Sequence, residues 1–230
     1  MIEQYLSALE KCDLFEKIEA DALRSLIKCI RPHIQSFSRS DFVVRSGDKL
    51  ESLGIVLEGE ASVFKESISG NRLLIKNLTV GEMFGEIAAF ARQTEWPALV
   101  QANTPLTVCF IDKNKITGQC RNLCPYHSAM ITNMLNVVSK RALMLSRKMD
   151  YISIKTMRSK LCTFIYEQHL KSGKATFNLP MNRGQLADFL NVSRPSMSRE
   201  LSRMKEEGMI DYHLSTIKIL DIESLKACCE

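Results

Sequence analysis

A short run near the C-terminus has the side chains needed to contact nucleic acid. If the run is a helix, Met197, Leu201 and Met204 share one face and point inward. The opposite face carries guanidinium and hydroxyl groups, contributed by Arg194, Ser196, Ser198, Arg199 and Arg203. Guanidinium groups donate paired hydrogen bonds to base edges, and both kinds of group donate to phosphate oxygens. The spacing therefore predicts a helix that contacts DNA; a helix with a merely solvated polar face is the alternative.

Two helices and a hairpin are predicted to position this face. Gln185 to Leu190 forms a first short helix, and Ser193 caps the second one. Pro195 is compatible with the second helix because it lies in the first turn, where no backbone hydrogen bond is lost. The stretches Ile210 to Tyr212 and Ile217 to Leu220 follow as a hairpin. This order of elements predicts a winged helix-turn-helix.

A long helix is predicted from Tyr126 to Ile152, because no Gly or Pro interrupts the stretch. Its apolar residues recur in alternating steps of four and three, which keeps them on one narrow side of a helix. This long-helix stripe comprises Ile131, Leu135, Val138, Ala142, Leu145, Met149 and Ile152. The alternative is an amphipathic helix lying on its own domain, but such a helix buries a wider apolar band. We therefore predict a parallel contact between the long helices of two identical subunits.

The N-terminal half is predicted to hold two helices followed by a barrel of short strands. Leucines and isoleucines at three- and four-residue spacing predict helices from Ile2 to Cys12 and from Ala20 to Ile30. Beyond His33, short apolar runs alternate with turn residues, the pattern of an antiparallel sandwich or barrel. The predicted strands include Phe42–Val44, Gly54–Leu57, Ala61–Phe64, Leu73–Ile75, Leu99–Val100 and Val108–Ile111. Within the barrel, Gly81 to Ala88 is a glycine-flanked turn whose backbone N–H groups and carboxylate have the chemistry to bind a ligand.

Charge is unevenly distributed along the chain. Residues 1–125 carry 15 basic and 16 acidic side chains, whereas residues 126–230 carry 16 and 10. A near-neutral first part and a basic second part point to a polyanion as partner of the second part. No stretch approaches the ~20 apolar residues of a membrane helix, and charged residues interrupt the N-terminus where a signal peptide would lie. We therefore expect a cytoplasmic protein without a membrane partner.

The cysteines and histidines raise the question of redox or metal chemistry. Eight cysteines are scattered through the chain, and most are expected to be reduced and structural. The pairs Cys120/Cys124 and Cys228/Cys229 are candidates for oxidation or metal binding, but neither has the paired CxxC and nearby histidine of a zinc site. A cupin-type metal enzyme would need clustered histidines, and only His33 lies near the predicted barrel. We expect no metal site, no known cofactor and no catalytic residues.

The order of these parts resembles the Crp/Fnr family of bacterial transcription regulators over nearly the whole chain. The matching features are Ser46-Gly47, Gly59, Gly81 to Ala88, the long helix, and Val192 to Leu201. The resemblance implies an α+β protein whose jelly-roll barrel, a double-stranded β-helix like that of cyclic-nucleotide-binding domains, senses a small molecule. It also implies a dimerisation helix and a winged helix-turn-helix that binds a palindromic operator, with RNA polymerase as a further partner. The expected domains are 1–125, 126–152 and 153–230; a dimeric regulatory module that does not bind DNA is the alternative.

The effector site implied by the resemblance departs from that of the members that bind cyclic AMP. Those members look like Gly-Glu followed further along by Arg-Ser, whose Arg pairs with the cyclic phosphate. Here Gly85 and Glu86 are followed by Trp96 and Pro97, so a buried phosphate would lack its cation. We therefore expect a different, unidentified small-molecule effector. Trp96 itself is most simply a packed aromatic of the core, and the alternative is a wall of a pocket reshaped for that effector. The residues expected to form its pocket are Gly85, Glu86, Ile87, Trp96, Pro97, Arg141 and Leu143.

The resemblance also implies roles in the predicted DNA-binding domain. Arg199 matches the base-contacting Arg of the family, and Arg183 matches a phosphate contact. Pro195 stands where the family commonly has an acidic residue, which would accept a hydrogen bond from a cytosine amino group. Discrimination of cytosine by an acidic side chain at this position is therefore expected to be missing here. The expected DNA-binding residues are Arg183, Ser193, Arg194, Ser196, Ser198, Arg199 and Arg203.

Overall fold

The computed structural model describes residues 2–67, 70–118 and 125–229. The chain divides into two compact units, Met1–Lys140 and Arg141–Glu230. Each has its own hydrophobic core. No helix in the described part of the chain combines the length and the apolarity needed to span a bilayer.

The first unit contains a jelly-roll barrel built from two four-stranded antiparallel sheets. The first sheet has the order β1-β8-β3-β6 and the second has the order β2-β7-β4-β5. The strands are β1 (His33–Phe37), β2 (Phe42–Val44), β3 (Ser52–Glu58), β4 (Ala61–Glu66), β5 (Arg72–Leu78), β6 (Met83–Phe84), β7 (Leu99–Ala102) and β8 (Leu106–Asp112). Each predicted strand falls within one of these, and the predicted jelly-roll is confirmed. Strands β1 and β6 were not predicted, because the exposed and half-buried residues of β1 do not alternate regularly and β6 is only two residues long, within the predicted turn from Gly81 to Ala88.

Short helices surround this barrel. They are a 3-10 turn (Ile2–Tyr5), α1 (Leu6–Glu10), a second 3-10 turn (Asp13–Phe15), α2 (Ala20–Ile30), α3 (Glu86–Phe90) and α4 (Lys113–Thr117). The bounds of α2 agree with those predicted. The predicted helix from Ile2 to Cys12 is wrong as a single α-helix, since its first turn is a 3-10 helix and its α-helical part ends at Glu10.

The long helix α5 runs from Pro125 to Ser153 and crosses the boundary between the two units. Its side chains Met130, Met134 and Val137 are buried in the core of the first unit, together with residues of α1 and α2. The predicted long-helix stripe is a different set of positions. The early part of α5 therefore packs one face on its own domain and carries a second apolar face, the long-helix stripe, at other positions. Packing on its own domain and contact with a second subunit are thus compatible for this helix.

The second unit is a winged helix-turn-helix, as predicted. Its elements are α6 (Met157–Ser172), β9 (Thr176–Asn178), α7 (Arg183–Leu190), α8 (Arg194–Glu206), β10 (Ile210–His213), β11 (Thr216–Ile219) and α9 (Ile222–Ala227). The three strands form one antiparallel sheet in the order β10-β11-β9. Apolar residues from every helix of the unit meet in one core, in which Tyr151, Phe164 and Phe189 pack with ring centroids 5.1 to 6.1 Å apart.

Candidate nucleic-acid interface and effector site

Helix α8 presents the predicted polar face to solvent. Met197, Leu201 and Met204 are at most 1% exposed and fix the helix on the core, so the opposite side stays open. Ser193 caps the helix, since its hydroxyl accepts a hydrogen bond from the backbone N–H of Ser196 at 3.3 Å. The exposed side chains are Arg194, Ser198, Arg199 and Arg203, and Ser196 is half-buried. The structure thus brings the predicted α8 residues together on one surface.

The first turns of α8 hold Arg199 through a chain of hydroxyls. The Ser193 hydroxyl donates to Ser196 Oγ at 2.7 Å, and an Arg199 Nη donates to the same oxygen at 3.1 Å. Because these bonds fix one edge of the guanidinium along the helix, its other donors remain available to a partner. Arg199 is therefore oriented before any ligand arrives, which lowers the entropy lost on binding.

Arg158 on α6 forms ion pairs with Glu200 on α8 and with Glu207 at its end, a role that no sequence pattern predicted. Its Nε donates to Glu200 Oε1 at 2.7 Å, and its two terminal nitrogens donate to the two Glu207 oxygens at 2.7 and 2.8 Å. The pKa of Arg158 is raised by these hydrogen bonds, and the Arg158 guanidinium lowers the pKa of the Glu207 carboxyl. The planar Arg158 guanidinium thus binds Glu200 on α8 and Glu207 directly after it, two positions seven residues apart.

Arg183 opens α7 beside the hairpin of the winged motif. An Asn182–Gln185 capping box fixes the start of the helix. The Arg183 guanidinium lies 4.7 Å from the Tyr212 ring centroid, and one of its nitrogens donates to the backbone oxygen of Leu214 at 3.4 Å. Burial lowers the pKa of Arg183. Its expected phosphate contact stays a prediction, but the guanidinium is positioned by the wing as well as by α7.

Arg183 and Arg194 line one groove of about 620 Å³ between α7, the start of α8 and the turn of the wing. The lining is largely apolar, with Leu179, Met181 and Leu214 among its residues. Two guanidinium groups at the rim of an open groove attract an anion such as a phosphate of a nucleic-acid backbone. The groove therefore extends the basic surface of α8 towards the wing.

In the barrel, Trp96 occupies the space directly above Gly85. A Cβ at Gly85 would lie only 2.3 Å from Cη2 of the Trp96 ring, and the backbone there has φ +82°, so glycine is required on both grounds. Trp96 is 5% exposed and its ring centroid lies 5.8 Å from that of Phe84. Glu86 is buried and Ile87 is exposed. The Trp96 ring therefore fills the volume next to Gly85.

Trp96 and Pro97 also line a cavity of about 490 Å³. Its remaining lining residues are Ser46, Gly47, Arg92, Gln93, Thr94 and Glu95. Backbone hydrogen bonds hold the two walls together, with Gly47 N donating to Trp96 O at 2.9 Å and Trp96 N donating to Asp48 O at 2.8 Å. The predicted pocket is thus only partly assembled here, because Gly85, Glu86 and Ile87 do not line this cavity.

The remaining residues expected near the effector are Arg141 and Leu143. Both belong to the second unit, and Leu143 is 66% exposed on α5. Their part in effector binding stays a prediction.

The long-helix stripe is largely open to solvent within a single chain. Leu135, Leu145 and Met149 are 63%, 59% and 70% exposed, and Ile152 is 49% exposed. Ile131 and Val138 differ, because both are half-buried, and Val138 packs against the core of the first unit. Large apolar side chains along one helix edge, exposed to this degree, are typical of a protein–protein contact.

Comparison with known proteins agrees with this architecture. Residues 34–122 match the family model described as a cyclic nucleotide-binding domain, and residues 159–228 match a Crp-like helix-turn-helix domain. The cAMP-activated global transcriptional regulator CRP of Salmonella typhimurium is 19% identical over 81% of this chain and 89% of its own length. The transcriptional activator protein FnrL of Cereibacter sphaeroides is 25% identical over 77% of this chain and 72% of its own. The Thermus thermophilus catabolite activator protein superposes with a TM-score of 0.54 at 18% identity, covering 94% of this chain and 97% of that one.

Proposed function

Because the chain belongs to the Crp/Fnr family of DNA-binding transcription regulators, we propose that it acts as a homodimer that binds a palindromic operator and responds to a small molecule other than a cyclic nucleotide. The observation that carries the effector part is the position of Trp96 against Gly85. The DNA-binding part rests on the exposed face of α8. We propose no catalytic activity.

The α8 face supports sequence reading by Arg199. Its guanidinium is exposed and held by Ser196 at 3.1 Å, and a fixed guanidinium discriminates guanine by donating to O6 and N7 together. Arg183 and Arg194 border the groove beside the wing, where a phosphate would meet two cations. Base reading is thus proposed for α8 and phosphate contact for the groove.

The proposed dimer follows from the exposed long-helix stripe. A helix whose Leu135, Leu145 and Met149 remain more than half exposed would gain free energy by burying them against a second copy. Four- and three-residue steps fit the packing of two parallel helices. Two copies related by a two-fold axis would present two α8 helices to DNA, which requires an operator with inverted half-sites.

The proposed effector differs from a cyclic nucleotide because the barrel offers such a ligand neither room nor charge pairing at Gly85. The Trp96 indole fills the space, and a buried cyclic phosphate beside an indole would remain without a counter-ion. The cavity that Trp96 helps to line also carries Arg92, Gln93 and Thr94. We propose that this polar cavity receives the unidentified effector.

Selection of DNA by the purified protein tests the proposal as a whole. Double-stranded DNA with a long random segment is bound, recovered and sequenced over several rounds. We expect enrichment of an inverted repeat whose half-sites lie about 34 Å apart, one helical turn, because two α8 helices would dock on the same side of the duplex. Recovery of sequences without a shared symmetric motif would contradict the proposed operator reading.

A further inference from the structure

The second unit contains a cavity of about 300 Å³ that is lined by the end of α5 and by α6. Its polar lining includes Arg147, Asp150 and Tyr151 on α5 and Glu167 on α6. A volume of this size is at the lower end of the range for small-molecule sites, roughly 300–1,000 Å³. All of the lining residues belong to the second unit, so this cavity is separate from the barrel cavity that Trp96 helps to line.

Tyr151 places a buried hydroxyl at this cavity. Its side chain is 3% exposed, and its ring centroid lies 6.1 Å from that of Phe164 and 5.1 Å from that of Phe189. The hydroxyl oxygen is buried and completes no hydrogen bond within the described part of the chain. A buried hydroxyl in this condition costs free energy until a partner reaches it. The cavity therefore holds a polar group that is fixed by ring packing and is ready to bind.

Charged groups of both signs lie near the Tyr151 hydroxyl. Burial raises the pKa of Tyr151, the nearby Glu167 carboxylate raises it further, and the Arg147 guanidinium lowers it. The raised pKa keeps the hydroxyl protonated at neutral pH, so it can donate a hydrogen bond. The Glu167 carboxylate is 40% exposed and lies 3.7 Å from the Lys171 ammonium, which leaves it lone pairs for a further donor.

We propose that this cavity binds an α-amino acid, whose carboxylate accepts hydrogen bonds from Tyr151 and Arg147 and whose ammonium group donates to Glu167 and Asp150. A guanidinium and a hydroxyl are suitable donors to a carboxylate, and carboxylates are suitable acceptors for an ammonium group. An anion without an amine would be repelled by the two lining carboxylates. A cation without a carboxylate would leave the Arg147 and Tyr151 donors unused. A metal ion is not favoured, because the described residues contain no cluster of three or more His, Cys, Asp or Glu that could hold one.

The proposed dimer contact would leave this cavity open. Asp150 and Tyr151 follow Arg147 by three and four residues, so the three side chains share one face of α5. Leu145 and Met149 of the long-helix stripe lie about half a turn away from them, on the opposite side of the helix. Amino-acid binding at this cavity therefore does not depend on the proposed operator, effector or dimer.

Calorimetric titration of the full chain with each of the standard L-α-amino acids tests the site. We expect saturable binding of at least one of them to the wild type, and binding weaker by about tenfold or more in Tyr151→Phe and in Arg147→Gln. Tyr166→Phe and Lys148→Gln are matched controls outside the lining, and they should bind as the wild type does. If no amino acid binds, or if either lining variant binds as tightly as the wild type, the proposal is overturned.

Two analogues of the amino acid that binds test the class of ligand. One is the amine without the carboxylate, and the other is the carboxylic acid without the amino group. Each analogue should bind at least about tenfold more weakly than the amino acid, because each loses hydrogen bonds to charged side chains. Equal binding of either analogue would overturn recognition of both charged groups.

Thermal unfolding of ligand-free Tyr151→Phe tests the unpaired hydroxyl directly. Phenylalanine keeps the packing against Phe164 and Phe189 and removes only the hydroxyl, so the unfolding temperature should be unchanged or higher. The amino acid should then raise the unfolding temperature of the wild type more than that of the variant. A lower unfolding temperature in the ligand-free variant would show that the hydroxyl already has a partner in the protein, and the proposal would fail.

Discussion

The guanidinium of Arg158 holds the carboxylate of Glu207 through two hydrogen bonds of 2.7 and 2.8 Å, while its third nitrogen reaches Glu200. Arg158 lies on α6, and both glutamates lie at the inner side of α8 or just beyond its end. A single arginine on α6 therefore holds α8 and the residue after it by hydrogen bonds, in addition to the apolar packing of α8 on the core.

Arg158→Ala should destabilise the second unit by about 1–2 kcal/mol, because it leaves the Glu200 carboxylate, which is 14% exposed, without its main partner. This loss of stability is smaller than that expected on breaking a fully buried ion pair, because the Arg158 side chain is 32% exposed. Urea unfolding followed by circular dichroism measures the change. Arg203→Ala is the matched control: its guanidinium is 69% exposed and 3.7 Å from Glu200, so stability should change little. Equal losses in both variants would contradict an anchoring role for Arg158.

Acid should weaken the same contact. The Arg158 guanidinium lowers the pKa of Glu207 below its ordinary value of 4.5, so the folded state binds fewer protons than the unfolded state at this site. The stabilisation is fully present above about pH 4.5 and is lost as the pH falls through the lowered pKa. Unfolding free energies measured from pH 6 downwards should therefore fall less steeply in Glu207→Gln than in the wild type. Parallel pH profiles would show that Glu207 makes no such contribution.

Two arginines should affect DNA binding in different ways. Arg199→Ala removes a paired donor to one base, so we expect a loss of roughly 1–3 kcal/mol on the selected operator and relaxed preference at one base pair per half-site. Arg183→Ala removes a proposed phosphate contact, so binding to all sequences should weaken alike and the salt slope should fall by about one unit. Fluorescence anisotropy with operator and random duplexes over a salt series separates the two. If Arg199→Ala weakens both duplexes equally, α8 does not read sequence through this residue.

Charges on the long-helix stripe should separate the proposed dimer. Leu135→Glu combined with Leu145→Glu would place like charges opposite each other across the two-fold axis, where they would be buried without partners. Sedimentation velocity should then report a monomer of 26.1 kDa, the mass of one chain. Leu170→Glu on α6 is the control, since Leu170 is also 63% exposed and lies outside the stripe. An unchanged dimer in the double variant would show that the stripe is not the interface.

Cyclic AMP and cyclic GMP should not bind the protein at micromolar concentration. The Trp96 ring occupies the space over Gly85 and supplies no positive charge. Isothermal titration calorimetry at 25 °C should give no binding heat beyond dilution, whereas operator DNA titrated into the same sample should give a clear isotherm and prove that the protein is active. A saturable micromolar isotherm for either nucleotide would refute the proposed effector class.

Local patterns were sufficient for the elements that carry the DNA-binding face. Ser193 could be predicted as the cap because it directly precedes a helical repeat. Pro195 fits the first turn of that helix, so both signals lie within a few residues of each other. The buried residues Met197, Leu201 and Met204 follow from helical spacing alone. The predicted winged helix-turn-helix therefore needed no long-range information.

Contacts between distant residues were not predictable in this way. Arg158 lies 42 and 49 residues before its two partners, and no spacing rule selects one arginine among many. On α5 the missed residues Met130, Met134 and Val137 also recur in steps of four and three, so the helix carries two apolar stripes. The sequence pattern identified one of them and could not tell which side packs on the barrel.

The position of Trp96 over Gly85 has a consequence for how this pocket could change by mutation. Replacing Trp96 with a small residue would leave a cavity in the barrel core, a change that costs roughly 3–5 kcal/mol in other proteins. Introducing a cation there first would bury an unpaired charge against Phe84 and its neighbours. Either order of substitutions is therefore expected to pass through a destabilised intermediate. Single mutations at Trp96 are therefore expected to give this barrel no easy route to binding a phosphate.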